Sequence, residues 1–210
     1  MPQPLSTLKN LGIVSIGNVG DRPLRQRPEL ALLVAEVIAS WSNVESFHLN
    51  LFMNLLGGPG EKAADIYLAL EARSSKSDAI RAAAKSLPEP HENLLLAILA
   101  ISKSHQKARD KIAHWTWGVC TGIPDALLLA SPKDMIISDH DFSKIFVYRE
   151  EELKQIIKTN ERLAGYGQTL GFIIMGHPAN QENQLYDQLC AEPEIRDKLH
   201  QMSPPSPKPA

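Results

Sequence analysis

The amino-acid sequence predicts an all-α fold: a bundle of four to five helices with a small β-hairpin or loop insertion between the third and last main helices. Three observations predict it. Apolar residues recur at alternating steps of four and three along several long stretches, the spacing of one helical face. Glycine and proline clusters separate those stretches, at Gly57-Gly58-Pro59-Gly60, Pro88-Glu89-Pro90 and Gly122-Ile123-Pro124-Asp125. Strand-like pieces, 126–130 and 145–148, follow the third stretch around a polar loop.

Composition bounds the answer. With 210 residues, 43% hydrophobic and 22% charged, the chain is long enough to bury a core without disulfides or structural metal. Lys plus Arg total 22 against 24 Asp plus Glu, a formal net charge of −2, so no whole-protein positive field draws in nucleic acid and any such contact has to be local. Cys120 and Cys190 lie far apart, outside any Cys-x-x-Cys pattern, and read as small hydrophobes in a reducing compartment. No apolar run approaches the length of a membrane span, and Met1-Pro2-Gln3-Pro4 lacks the charged and apolar regions of a signal peptide. A cytoplasmic protein with no membrane contact is expected.

Residues 1–28 read as an irregular arm, because Pro2, Pro4, Pro23, Pro28, Gly12, Gly17 and Gly20 break any long helix. Within it, 12–17 is either one short strand or part of the arm, and its glycines match neither phosphate-loop pattern. The first main helix is expected over 29–56, where Leu30, Val34, Val37, Trp41, Val44, His48, Leu51 and Leu55 form one stripe of about 42 Å. Pro28 suits its first turn, and Glu29 the positive end of its dipole. A second stretch, 61–87, carries Ile66, Leu70, Ile80, Ala84 and Leu87, with a kink or break expected at Ser74-Ser75-Lys76-Ser77-Asp78. The third, 91–115, has the cleanest stripe: Leu94, Ile98, Ile101, His105, Ala108, Ile112 and Trp115. Gly118 and the Gly122 cluster are expected to close it. The last main helix starts at Glu150-Glu151-Glu152 and runs through Leu153, Ile156, Leu163 and Leu170, with Gly165, Gly167 and Gly171 requiring close packing against a neighbour as compensation. Residues 177–210 read as a short helix around 184–189 followed by a proline-rich tail expected to be disordered.

The stretch most informative about chemistry is Lys107-Ala108-Arg109-Asp110-Lys111-Ile112-Ala113-His114-Trp115, at the end of the third helix. Arginine offers a planar fork of donors to phosphate oxygens, and histidine has an unperturbed pKa near 6.5, suited to moving protons at neutral pH. Such a pair fits phosphodiester cleavage. In RNA the nucleophile is available as the substrate's own 2′-hydroxyl, so the chemistry requires no metal ligand set.

Arg109-Asp110 followed by Lys111-Ile112-Ala113-His114 resembles the arginine, polar residue, short spacer, histidine motif of the HEPN superfamily. Trp41-Ser42-Asn43-Val44-Glu45 is similar to the first-helix pattern of bacterial HEPN-like proteins, and the resemblance spans roughly residues 29–175. It implies a helical domain over 29–176 acting as a metal-independent endoribonuclease without a cofactor. It also implies a homodimer that brings two motifs together, RNA as substrate, and a toxin–antitoxin, stress-response or phage-defence setting with an antitoxin protein as partner. On this resemblance Arg109 would bind the phosphate, His114 would be the acid/base and Asp110 would orient the site. One departure stands out: many members place glycine directly after the histidine, whereas Trp115-Thr116-Trp117 intervene before Gly118.

Helical geometry adds a condition. Positions five apart on an ideal helix are separated by about 140° and about 7.5 Å, so the helix must loosen after Ile112 or a second subunit must complete the site. The alternative is that Arg109 pairs with an acid on another helix and His114 caps the last carbonyls, leaving an inactive bundle that binds RNA, nucleotide or protein, or a purely structural one. Lys103, Lys107 and Lys111 share a face, so Lys107 and Lys111 are candidates for tracking an RNA backbone, and Trp115 for stacking a base, against the plainer readings of a solvated face and core closure. Glu45 and His48 have the spacing of a di-iron half-site, but no second copy exists. His48 and His105 lie on apolar stripes and read as core histidines, and Asp139-His140-Asp141 as a solvated loop, so no metal is expected.

Overall fold

A computed structural model describes residues 2–9, 11–17, 22–58, 60–137 and 141–202. The expectations for Gly20, Pro59, Asp139, His140 and the tail from 203 onward lie outside the described residues. The chain is mostly helical, with nine α-helices and one five-stranded antiparallel sheet among the described residues. In order these are β1 (Gln3–Pro4), β2 (Val14–Ile16), α1 (Pro23–Gln26), α2 (Pro28–Leu55), α3 (Glu61–Ala69), α4 (Arg73–Ala84), α5 (Glu89–His114), β3 (Thr116–Cys120), β4 (Leu127–Ala130), α6 (Pro132–Ile137), β5 (Ile145–Tyr148), α7 (Glu150–Ile174), α8 (Gln184–Ala191) and α9 (Pro193–Met202). The helical class is as expected, but the β part is larger than a hairpin insertion.

Two compact units divide the chain: residues 1–42 with 105–160, and 43–104 with 161–210. The first unit holds the sheet, in strand order β1-β5-β4-β3-β2. Both edge strands come from the N-terminal arm, so 12–17 takes its strand alternative. Val14, Ser15 and Ile16 pair with Cys120, Val119 and Gly118, and Gln3 and Pro4 pair with Val147 and Phe146. The period-two pleat gives the sheet two apolar faces. On one, Trp117, Val119, Leu127, Leu129 and Tyr148 join Leu30, Val34, Val37, Ile112 and Leu153 from the helices. On the other, Cys120, Leu128, Ala130, Ile145 and Val147 lie with Val14 and Ile16 of β2 and pack with Leu5, Leu8 and Leu11 from the arm.

Gly118 does not close a helix. The chain turns from α5 straight into β3, and Gly118 sits mid-strand, where a Cβ would stand 2.6 Å from the Ser15 carbonyl oxygen and 2.8 Å from Ile16 Cγ1. The missing side chain is what lets β2 approach.

Within the first unit a buried polar knot ties α7 to α2. Asn160, 1% exposed, donates from Nδ2 to the Val37 carbonyl at 3.2 Å and to Ser40 Oγ at 3.0 Å, while Ser40 Oγ donates to the same carbonyl at 3.1 Å. Helix α2 begins as its sequence dictates, with Pro28 at the first position and the Arg27 carbonyl accepting from Ala31 N–H. It ends on Gly57 at φ +104°, with Gly57 N–H bonded to Asn54 O and Gly58 N–H to Met53 O, the left-handed cap that glycine permits. By length and composition α2 is long and apolar enough to cross a membrane, although polar residues such as Glu36, Ser42-Asn43 and Glu45-Ser46 interrupt it and leave no continuous apolar run of that length. Its buried stripe of Leu30, Val34, Val37, Trp41, Val44 and Leu51 is that of a helix with one face in a protein core.

The second unit is helical. The expected break at 74–78 falls instead at 70–72, and Ser74 to Asp78 lie inside α4. Short polar residues compete with backbone hydrogen bonds in a helix interior but suit a first turn, which is where this run begins. Helix α9 was not expected: Pro193 occupies its first position, where a missing N–H costs nothing.

The three glycines of α7 differ. Only Gly167 is pressed by a neighbour, since a Cβ there would stand 2.9 Å from Phe47 Cβ; nothing lies within 4 Å of that position at Gly165, and at Gly171 the Asn54 side chain is at ordinary contact distance, 3.5 Å. Gly165→Ala is therefore expected to raise stability by about 0.5–1 kcal/mol, by removing backbone freedom from the unfolded chain. Gly167→Ala should lower it, and urea denaturation of the two variants distinguishes these signs.

Candidate functional site

Helix α5 carries the candidate residues on its last two turns. It stays helical through His114, and Trp115 N–H still bonds the Lys111 carbonyl at 2.8 Å. The loosening after Ile112 that would let Arg109 and His114 converge within one chain therefore does not occur. Core packing of Ile112 on one side and the immediate start of β3 on the other keep the last turn regular. The two side chains leave the helix about 140° apart.

Arg109 is mostly buried, its side chain 14% exposed, with Nη1 3.2 Å from Asp110 Oδ1. Among the described residues its ion-pair partner is thus the next residue of the same helix and not an acid on another. Asp110 also accepts from Gln106 Nε2 at 3.2 Å, one turn earlier, so a small polar network fixes the carboxylate. Arg109 Nε is buried without a hydrogen-bond partner among the described residues, an uncompensated desolvation of the kind that calls for an explanation. His114 is exposed, and no hydrogen bond to its ring is found among the described residues.

The lysine face splits. Lys103 and Lys107 are exposed and remain available to an anionic strand. Lys111 is not: its ammonium lies 4.9 Å from the centroids of both the Trp115 and Phe146 rings. Those rings are themselves 6.1 Å apart and pack against the buried cluster of the first unit. A cation held over two aromatic faces is attracted by both ring quadrupoles. Lys111 and Trp115 thus serve each other, and Trp115 offers a base no open face on that side. Phe146 was not foreseen as part of this end of α5. The strand-like piece 145–148 is visible in the sequence, but the pairing of Phe146 with Lys111 depends on which way the sheet meets the helix.

Of the other histidines, His48 has the expected partner, Ser102 Oγ at 3.3 Å from Nε2. Burial holds its pKa down to about 4, with Glu45 pulling weakly the other way. Since an unfolded histidine titrates near 6.5, His48 contributes stability that is complete above that pH and is lost as the pH falls toward 4, where the unfolded chain binds the extra proton. The loss amounts to up to about 3 kcal/mol. Urea-unfolding free energies measured from pH 7 to pH 4 should fall less steeply for His48→Gln than for the wild-type chain; equal slopes would remove His48 as the cause. Among the described residues no group of three His, Cys, Asp or Glu side chains is placed to hold a metal ion.

Compared with known proteins, the chain matches no family model, no curated protein and no solved structure.

Proposed function

We propose that the C-terminal end of α5 is one half of a metal-independent RNA-cleaving site of HEPN type, completed by a second copy of the chain. One observation carries this reading: α5 remains a regular helix through His114, so Arg109 and His114 diverge within one chain while His114 stays exposed to a second molecule. A two-fold pair of such helix ends would set the Arg109 of each copy beside the His114 of the other. The Arg109 guanidinium, held by Asp110 through Nη1, keeps further Nη donors that could serve a phosphate oxygen.

In the reaction the substrate 2′-oxygen forms a bond to phosphorus and the bond to the 5′-oxygen breaks, leaving a 2′,3′-cyclic phosphate and a 5′-hydroxyl. A proton leaves the 2′-hydroxyl and one reaches the 5′-oxygen, and the single His114 of each composite site, from the copy opposite its Arg109, supplies both transfers by taking the first proton and delivering one to the leaving oxygen. Exposed Lys103 and Lys107 would follow the backbone of the strand. A cytoplasmic toxin or defence role, with an antitoxin as regulator, accompanies this proposal.

The test is incubation of purified protein with mixed RNA in excess EDTA, followed by identification of the ends. Cyclic phosphate and 5′-hydroxyl ends are expected, whereas a requirement for magnesium, or ends of another type, contradicts the mechanism. The Arg109–Asp110 pair favours a second reading, a catalytically silent bundle that binds RNA, nucleotide or a partner protein through the same surface. RNA retention without cleavage would select it.

A further inference from the structure

Strand β2 ends the sheet on one side, and its pairing with β3 decides which of its backbone groups are used. Gly17 N–H bonds the Trp117 carbonyl at 3.0 Å, Thr121 N–H bonds the Ile13 carbonyl at 3.0 Å, and Ser15 lies opposite Val119 between them. Ile13, Ser15 and Gly17 therefore turn their backbone groups toward β3. Along an antiparallel strand these groups alternate sides, so the N–H and C=O of Val14 and Ile16 point away from the sheet. No hydrogen bond to these outward groups is found among the described residues.

The two edges of the sheet differ. β1 carries Pro4, and proline blunts an edge because it has no N–H to offer. The stretch 12–17 has neither proline nor a charged residue, and Ile13 is 74% exposed. An apolar edge of this kind is a template for a further strand. Beside it, on the face that carries Leu128 and Val147, lies a cavity of about 500 Å³ within the first unit. Val14 and Ile16 line it together with Ala130, Ile145 and the half-exposed Phe142, so an apolar pocket adjoins the unpaired backbone.

We propose that this edge and cavity bind an extended segment of a partner protein, with apolar side chains at alternate positions, as an added antiparallel strand. A partner residue opposite Val14 or Ile16 exchanges both backbone hydrogen bonds with it, and its side chain projects to the face of the cavity. Main-chain bonds then supply affinity, and the cavity selects a large apolar side chain. A second copy of β2 fits less well, because its own Val14 and Ile16 are packed into its own apolar cluster and would leave the cavity unfilled. The surface uses neither Arg109 nor His114 and stands independently of the reading of α5.

The test titrates the full chain with the acetylated, amidated hexapeptide Thr-Val-Thr-Phe-Thr-Val, following amide exchange and side-chain methyl resonances by NMR. Exchange should slow by about tenfold or more at Val14 and Ile16, whose N–H groups gain acceptors, and change little at Ser15, whose N–H faces β3. Methyl shifts at Ile145 should accompany it. N-methylation of the valines and phenylalanine removes the donors that face β2 and should weaken binding by about tenfold or more. The same change at the threonines, whose amides face away, should leave it within about threefold. Replacing the phenylalanine with alanine should weaken binding by about tenfold through lost apolar contact. Equal effects of the two methylation patterns, methyl shifts without protection of Val14 and Ile16, or no saturable change at about 1 mM peptide would overturn the proposal. So would protection that appears without peptide and rises with protein concentration, which assigns the edge to a second copy.

Discussion

Replacing His114 with alanine is expected to lower RNA cleavage in excess EDTA by about 10²- to 10⁴-fold, the usual contribution of a positioned acid or base. His114 is exposed at the end of α5 and takes no part in the buried cluster, so the variant should fold as the parent does. Its loss therefore reads on chemistry. Arg109→Ala should cost about 10²- to 10³-fold through lost stabilisation of the phosphate, and Arg109→Lys should restore little of it, because an ammonium lacks the planar fork. Arg109 is mostly buried and paired with Asp110, so thermal unfolding must accompany its kinetics. A large fall in activity with an unchanged melting temperature supports a role at the phosphate, and parallel losses of both support a structural one. Retained cleavage in the His114 variant would assign the activity elsewhere.

The largest expected effect on stability belongs to Asn160. Truncation to alanine removes two buried hydrogen bonds to α2 and leaves a void, for a loss of about 2–4 kcal/mol. In a chain of this size that is a fall of roughly 5–15 °C in melting temperature. Asn160→Leu fills the space but leaves Ser40 Oγ without its donor and takes one of two side-chain donors from the Val37 carbonyl, so it should recover only part of the loss. Asn160→Asp should be the worst of the three at neutral pH, because it buries a charge where the amide donated. A melting temperature within a degree or two of wild type for Asn160→Ala would show that the knot is not what ties α7 to α2.

Much of the helical framework is legible in the sequence because its signal is local. The stripe through Leu30, Val34, Val37 and Trp41 needs only the 3.6-residue period to be seen, and the Gly57 stop needs only the conformational freedom of glycine. Strands β4 and β5 fall where short apolar runs lie between turn signals.

The rest depends on partners distant in the chain. β3 is hidden because the helical stripe runs to Trp115 and the strand begins at Thr116, leaving no boundary residue between them. The alternation of Trp117 and Val119 was the available cue. β1 and β2 are too short to declare themselves and exist by pairing with Val147 and Cys120. The candidate site divides in the same way. The residue types of Arg109, Asp110 and His114 are visible in sequence, but the capture of Lys111 between Trp115 and Phe146 is a property of the assembled sheet and helix.

The most direct measurement mixes two inactive variants. Arg109→Ala and His114→Ala chains, co-expressed with different tags and purified as the heterodimer, are assayed for RNA cleavage in EDTA beside each homodimer. In the heterodimer one of the two composite sites regains both an intact Arg109 and an intact His114, so activity should return to about half the wild-type value. A heterodimer as inactive as its parents, or a chain that stays monomeric at assay concentration, would contradict a site shared between two copies.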